Sequence, residues 1–115
     1  MVITQQNKEL FRLKARLCKT FADATRLMII NELRSGEKTV GQIQSALGLV
    51  QPVISRHLAL LRERGVVKAR RQGTNIFYSL SDPNIITACD MVHNILLNQM
   101  AKDKDAAEKF MTASS

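Results

Sequence analysis

Between Gln5 and Phe21, Leu10, Leu13, Leu17 and Phe21 return at helical spacing, with Lys8, Arg12, Arg16 and Lys19 at polar positions between them. Phe11, Ala15 and Cys18 widen the apolar stripe, and the segment reads as a first amphipathic helix. Asp23 is placed to cap a second helix that runs through Arg34, carries Leu27, Ile30 and Leu33 on one face, and stops at Ser35 and Gly36. Thr39 and Gln42 have the spacing of a capping box, the hydroxyl reaching forward and the amide reaching back, ahead of Ile43, Ala46 and Leu47. This short third helix ends at Gly48. Pro52 then stands where a first helical position tolerates a missing N–H, and Ile54, Leu58 and Leu61 form the stripe of a fourth helix closed by Gly65. Two helices joined across Gly48, Leu49 and Val50 make a helix-turn-helix.

After Gly65 the period shortens. Ile76, Tyr78 and Leu80 alternate as one face of a strand, and with residues 66–71 and a turn over residues 72–75 they predict a β-hairpin with one basic limb. Ser81 is expected to cap a last long helix with Pro83 at its first position, along which Ile85, Cys89, Val92, Leu96 and Met100 form a stripe. Residues 102–115 are polar and are expected to fray. The expected architecture is a single domain over residues 1–115, mainly α with a small β-hairpin, in the order four helices, hairpin, helix.

Composition agrees with that architecture. A chain of 115 residues, 45% hydrophobic with five Gly and two Pro, suits one domain with a modest core. An aromatic content of 4% without Trp favours helices over a sandwich. No run approaches the length a membrane span needs, and the first residues lack a signal-peptide apolar stretch, so a cytoplasmic location is expected. The charge of +7 is uneven: residues 1–35 carry a net +4, residues 51–75 a net +5 and residues 81–110 a net −2. A basic centre of this kind suits a polyanion-binding face, or alternatively a solvated surface. Two cysteines make no secreted disulfide framework, so Cys18 and Cys89 are either packing residues or sensors in a reducing compartment.

Taken in order, residues 22–27, residues 51–58 continuing through residues 61–67, and residues 78–80 resemble the ArsR/SmtB family of winged-helix repressors, over roughly residues 10–100. Two positions depart from the family pattern: Ala24 stands where a proline commonly follows the Asp, and Val50 where a Ser or Thr often caps the recognition helix. The resemblance implies a dimeric winged helix-turn-helix that represses transcription by binding an inverted-repeat operator in double-stranded DNA. A helix fits the major groove and a hairpin wing meets backbone or minor groove. Gln51, Ser55, Arg56 and His57 fall opposite Ile54, Leu58 and Leu61, so Gln51 is a candidate for adenine, Ser55 for a base or phosphate, and Arg56 for a guanine edge or phosphate. His57 has a second reading as a half-buried helix residue bonded to a carbonyl. Arg70, Arg71, Gln72 and Asn75 are the wing candidates, and Thr39 is counted with the same DNA face.

The first and last helices carry more apolar surface than one small core hides, so Leu10, Leu13, Leu17, Val92, Leu96 and Met100 are expected at a homodimer interface, as the resemblance also implies; the alternative is that all of this surface is intrachain core. The family's thiol-rich metal site is absent, because residues 39–49 hold no Cys, His, Asp or Glu. Its last-helix site is absent too, because Val92 follows Asp90 at the His position and Lys104 and Ala107 supply no second pair. Cys18, Cys89 and His93 remain as candidate sensors of thiol modification or of a soft metal or metalloid, beside the reading that both cysteines merely pack. No cofactor is required. Neither a Gly-rich phosphate loop, a nucleophile elbow nor a carboxylate pair is present, so an enzyme is not expected. The alternative to a DNA-binding regulator is a winged helix whose recognition face holds an acidic protein partner.

Overall fold

Side-chain caps mark the start of the first three helices. In the computed structural model, which describes residues 3–103, 105, 108 and 109, Thr4 caps α1 (Gln5–Thr20) by accepting from Asn7 N. Asp23 caps α2 (Ala24–Glu32) by accepting from Arg26 N. Thr39 and Gln42 form the reciprocal capping box of α3 (Val40–Leu47), with Gln42 N to Thr39 Oγ1 at 3.2 Å and Thr39 N to Gln42 Oε1 at 2.9 Å. Gly48 ends α3 at φ 66°, a left-handed conformation that glycine adopts without a Cβ penalty. Only the backbone caps α4 (Gln51–Glu63), because Val50 at its N-cap has no side-chain acceptor.

The second helix is shorter than its apolar pattern predicts. It gives way to a 3-10 turn over Leu33–Ser35 before Gly36, at φ 132°, breaks the chain. The tighter turn brings Leu33 into the core and leads into a two-residue strand that sequence reading missed, β1 (Lys38–Thr39). β1 pairs antiparallel with β3 (Asn75–Leu80), and β3 pairs with β2 (Val67–Gln72), so the hairpin is part of a three-stranded sheet in the order β1-β3-β2. The pair Gln72↔Asn75 closes the hairpin, and Gly73 takes φ 64° at the first central position, which a two-residue turn of the II′ kind requires.

Two compact units divide the chain, Met1–Asp82 and Pro83–Ser115. In the first, the core is Ile29, Ile30 and Leu33, Ile43 from α3, Ile54, Leu58 and Leu61 from α4, and Val66 and Val67 at the start of the wing. Each such side chain contributes about 1.5–3 kcal/mol by leaving water. α2 and the start of β2 therefore pack against the helix-turn-helix. The second unit holds α5 (Asn84–Met100), none of whose residues is buried. Its N-terminus differs from expectation: Pro83 itself is the N-cap, one position earlier in the helix than a first-turn proline, and the Ser81 hydroxyl instead donates towards the carbonyls of Gly65 and Val66 at 2.5 and 3.0 Å. Similarly, Pro52 follows Gln51 and so takes the second position of α4. The expected fraying of residues 102–115 lies mostly outside the described residues, as do Lys104 and Ala107, whereas Asp105, Glu108 and Lys109 are helical.

Candidate nucleic-acid interface

The period of α4 separates its two faces. Ile54, Leu58 and Leu61 are fully buried, while Gln51, Ser55 and Arg56 are exposed on the other side. No acidic residue stands in the first turn of α4, so the positive end of its dipole meets no carboxylate of its own helix. Register sorts the wing in the same way. Val67, Ala69 and Arg71 share a sheet face with Ile76, Tyr78 and Leu80, and Lys68, Arg70 and Gln72 share the opposite face with Asn75, Phe77 and Ser79. Tyr78 lines an open concavity with Ser55, Ala59, Arg62 and Glu63 of α4, so the Arg71 face is the one turned to the recognition helix. Arg71, Gln72 and Asn75 are exposed near the hairpin tip.

Four predicted contact residues, Thr39, Arg70, Gln72 and His57, are engaged within the chain. Thr39 is half-buried, with its hydroxyl accepting from Gln42 N, and it lines a second open hollow with Lys38, Gly41, Gln42, Ser45 and Ala46. Arg70 forms a two-pronged ion pair with Glu37, both contacts at 3.0 Å, gives a third hydrogen bond to Gln72 Oε1 at 2.8 Å, and stacks 4.9 Å above the Phe77 ring. His57 is half-buried rather than on the open face of α4, and its Nδ1 lies 3.5 Å from Arg26 Nη1.

Arg26 was not singled out by the sequence, although its place three residues after the Asp23 cap is the local signal. Only 15% of its side chain is exposed. Its Nε donates to Thr20 O at 2.7 Å and its Nη2 to Lys19 O at 3.3 Å, so a cation closes the carbonyl end of α1 beside the start of α2 and the ring of His57. The backbone N–H of Arg26 donates to Asp23 and holds that carboxyl below its ordinary range, and the Arg70 guanidinium does the same to Glu37. Folded chains thus bind fewer protons at these sites than unfolded ones. Their stabilisation is complete above the unfolded-state values and is lost as pH falls through the folded ones. Thermal melts are expected to show falling stability below about pH 4.5. Asp23→Asn, which keeps the cap acceptor but does not titrate, is expected to flatten that acid limb; an unchanged limb would assign it elsewhere.

Cys18 is exposed on α1, while Cys89 is half-buried and His93 exposed on α5. Among the described residues no three His, Cys, Asp or Glu side chains gather as a metal site. On α1, Leu10, Phe11, Leu13 and Leu17 are uncovered, and on α5 so are Met91, Val92, Ile95 and Leu96, all between 44% and 64% exposed; Met100 is half-covered. Phe11 lies on the α1 stripe as the sequence places it, and Met91 and Ile95 extend the predicted stripe of α5.

Residues 23–69, which hold the buried core and the helix-turn-helix, match the pattern of the bacterial regulatory protein, arsR family. Over 85 residues the chain is 35% identical to the biofilm growth-associated repressor of Xylella fastidiosa, covering 74% of this chain and 75% of that protein. The chain belongs to the ArsR family. Its fold is similar to the crystal structure of Rv0081 from Mycobacterium tuberculosis, at 33% identity and TM-score 0.75, over 82% of this chain and 95% of the other. It is also similar to the homodimeric winged helix-turn-helix DNA-binding domain of Mb0332 from Mycobacterium bovis, at 29% identity and TM-score 0.73, over 82% and 87%. This ArsR-family chain is therefore a winged helix-turn-helix regulator and not an enzyme. No helix among the described residues is long and apolar enough to cross a membrane.

Proposed function

We propose that this chain is a cytoplasmic repressor that binds an inverted-repeat operator as a homodimer, with α4 in the major groove and the wing on the flanking backbone. The observation that carries the reading is the division of α4, which exposes Gln51, Ser55 and Arg56 while Ile54, Leu58 and Leu61 anchor it, beside a sheet face ending in Arg71. Gln51 presents a bidentate amide to adenine, Arg56 a fork to guanine, and Arg71 a charge to phosphate. The uncovered stripes of α1 and α5, including Leu10, Leu13, Leu17, Val92, Leu96 and Met100, form the subunit contact, because a lone chain would leave that apolar surface in water. The resemblance to a homodimeric relative supports this. Control by thiol modification is assigned first to Cys18, the exposed cysteine.

Fluorescence anisotropy against the chain's own upstream DNA tests the reading. Arg56→Ala is expected to cost about 1–3 kcal/mol per half-site on the operator and little on unrelated DNA. Arg71→Ala is expected to weaken all sequences alike and to lower the slope of log affinity against log salt by about 0.9 per subunit, about 1.8 for the dimer. Wild-type affinity in both variants would refute the proposed face, and binding without sequence preference would favour an acidic protein partner instead.

A further inference from the structure

Arg70 and Arg71 are adjacent in the chain, and a basic hairpin suggests that both meet phosphate. Their surroundings differ. Arg71 is exposed on the face shared with Tyr78, whereas Arg70 starts on β2, crosses the ring of Phe77 on the central strand β3, and reaches Glu37 just ahead of β1. One side chain thus spans the whole sheet in its order β2, β3, β1. Two of its N–H groups reach Glu37, and a third donates to Gln72 on its own strand. The strand it reaches is only two residues long, and Thr39 of that strand is also the N-cap of α3. Few backbone bonds therefore hold the wing to the helix-turn-helix, and a strut across the sheet adds restraint where the backbone supplies little. Lys68 stands on the same face as Arg70, and its charge also acts on Glu37.

Building on the DNA-binding reading above, we infer that Glu37 and Arg70 are a pair of positioning residues: Arg70 is committed to Glu37 as a strut that sets the angle of the wing, and Arg71 carries the phosphate contact. An exposed pair is modest in energy, because solvent and salt screen it. Its expected effect on DNA affinity is correspondingly about twofold to fivefold. The sign makes it distinctive. Glu37→Gln removes an acid from a DNA-binding protein and makes it more basic, yet the strut requires that operator affinity fall.

The full-length dimer is titrated with operator DNA over a range of salt, and amide hydrogen exchange is followed in the hairpin. Glu37→Gln and Arg70→Ala are each expected to weaken the operator complex by a similar factor, to leave the salt slope unchanged, and to speed exchange at β2 and β3 amides while helix amides stay protected. The double variant is expected to be no worse than either single one. The reversed pair, Glu37→Arg with Arg70→Glu, is expected to recover both affinity and protection. A slope reduced by about 1.8 in Arg70→Ala, one phosphate contact from each subunit, with tighter binding in Glu37→Gln, would overturn the proposal by making Arg70 a phosphate contact that Glu37 masks. Unchanged hairpin exchange in both single variants would overturn it as well. An unchanged slope in Arg71→Ala would instead remove the wing from the DNA reading, and the exchange data would still decide the strut.

Discussion

Leu96→Glu is expected to convert the homodimer to a monomer and to lower operator affinity at least about 100-fold, because a monomer meets one half-site without the effective concentration that linkage supplies. Leu96 lies in the C-terminal half of α5, in a helix with no buried residue of its own and a face of Met91, Val92, Ile95 and Leu96 turned to solvent. A twofold interface repeats each substitution, so a single change places two carboxylates in the contact. Burying such a charge without a partner costs several kcal/mol, more than one exposed leucine contributes. Light scattering reads the mass, and anisotropy reads the affinity. The helix-turn-helix core lies in the other unit, so its secondary structure is expected to persist. A variant that remains a dimer at micromolar concentration would move the subunit contact away from α5.

Ile54→Ala is the largest expected loss of folding stability. Ile54 is fully buried on the face of α4 opposite Gln51 and Ser55, among the side chains that hold α4 to the rest of the helix-turn-helix. Removing its outer carbons forfeits transfer energy and leaves a cavity, at a combined cost of about 2–5 kcal/mol. For a domain whose whole stability is of the order of 5–15 kcal/mol, that is a large share. Denaturant titrations at matched protein concentration are needed, since dimerisation adds concentration-dependent stability. The midpoint is expected to fall with the slope m retained. A loss under about 1 kcal/mol would mean that the core closes around the gap.

Much of the fold was legible because its decisions are local. A carboxylate or hydroxyl reaches its own helix's first N–H groups within three residues, so Asp23 and the Thr39–Gln42 box announced α2 and α3 wherever the rest of the chain lay. The αL turn at Gly48 and the hairpin turn at Gly73 depend only on backbone sterics, and the division of α4 into Ile54, Leu58 and Leu61 against Gln51 and Ser55 follows from helical period. The exposed stripes of α1 and α5 were legible for the same reason. By contrast, β1 is too short to carry a period and exists because residues 38 and 39 meet Tyr78 and Phe77. Ser81 looked like a helix cap, but the carbonyls of Gly65 and Val66 lie within reach of its hydroxyl.

The candidate site divides along the same line. Which residues of α4 face outward is a matter of period, and which cations remain free is a matter of long-range partners. Arg70 and Arg71 are alike as letters, and the acid that distinguishes them, Glu37, stands 33 positions away. Spacing alone puts His57 with the outward residues, whereas it is half-buried with its Nδ1 3.5 Å from Nη1 of Arg26, 31 positions earlier. Charge interactions act through space and are indifferent to chain order, so their partners become known only when strands and helices are brought together. Caps, turns and amphipathic faces are bonds between near neighbours, and those the chain declares by itself.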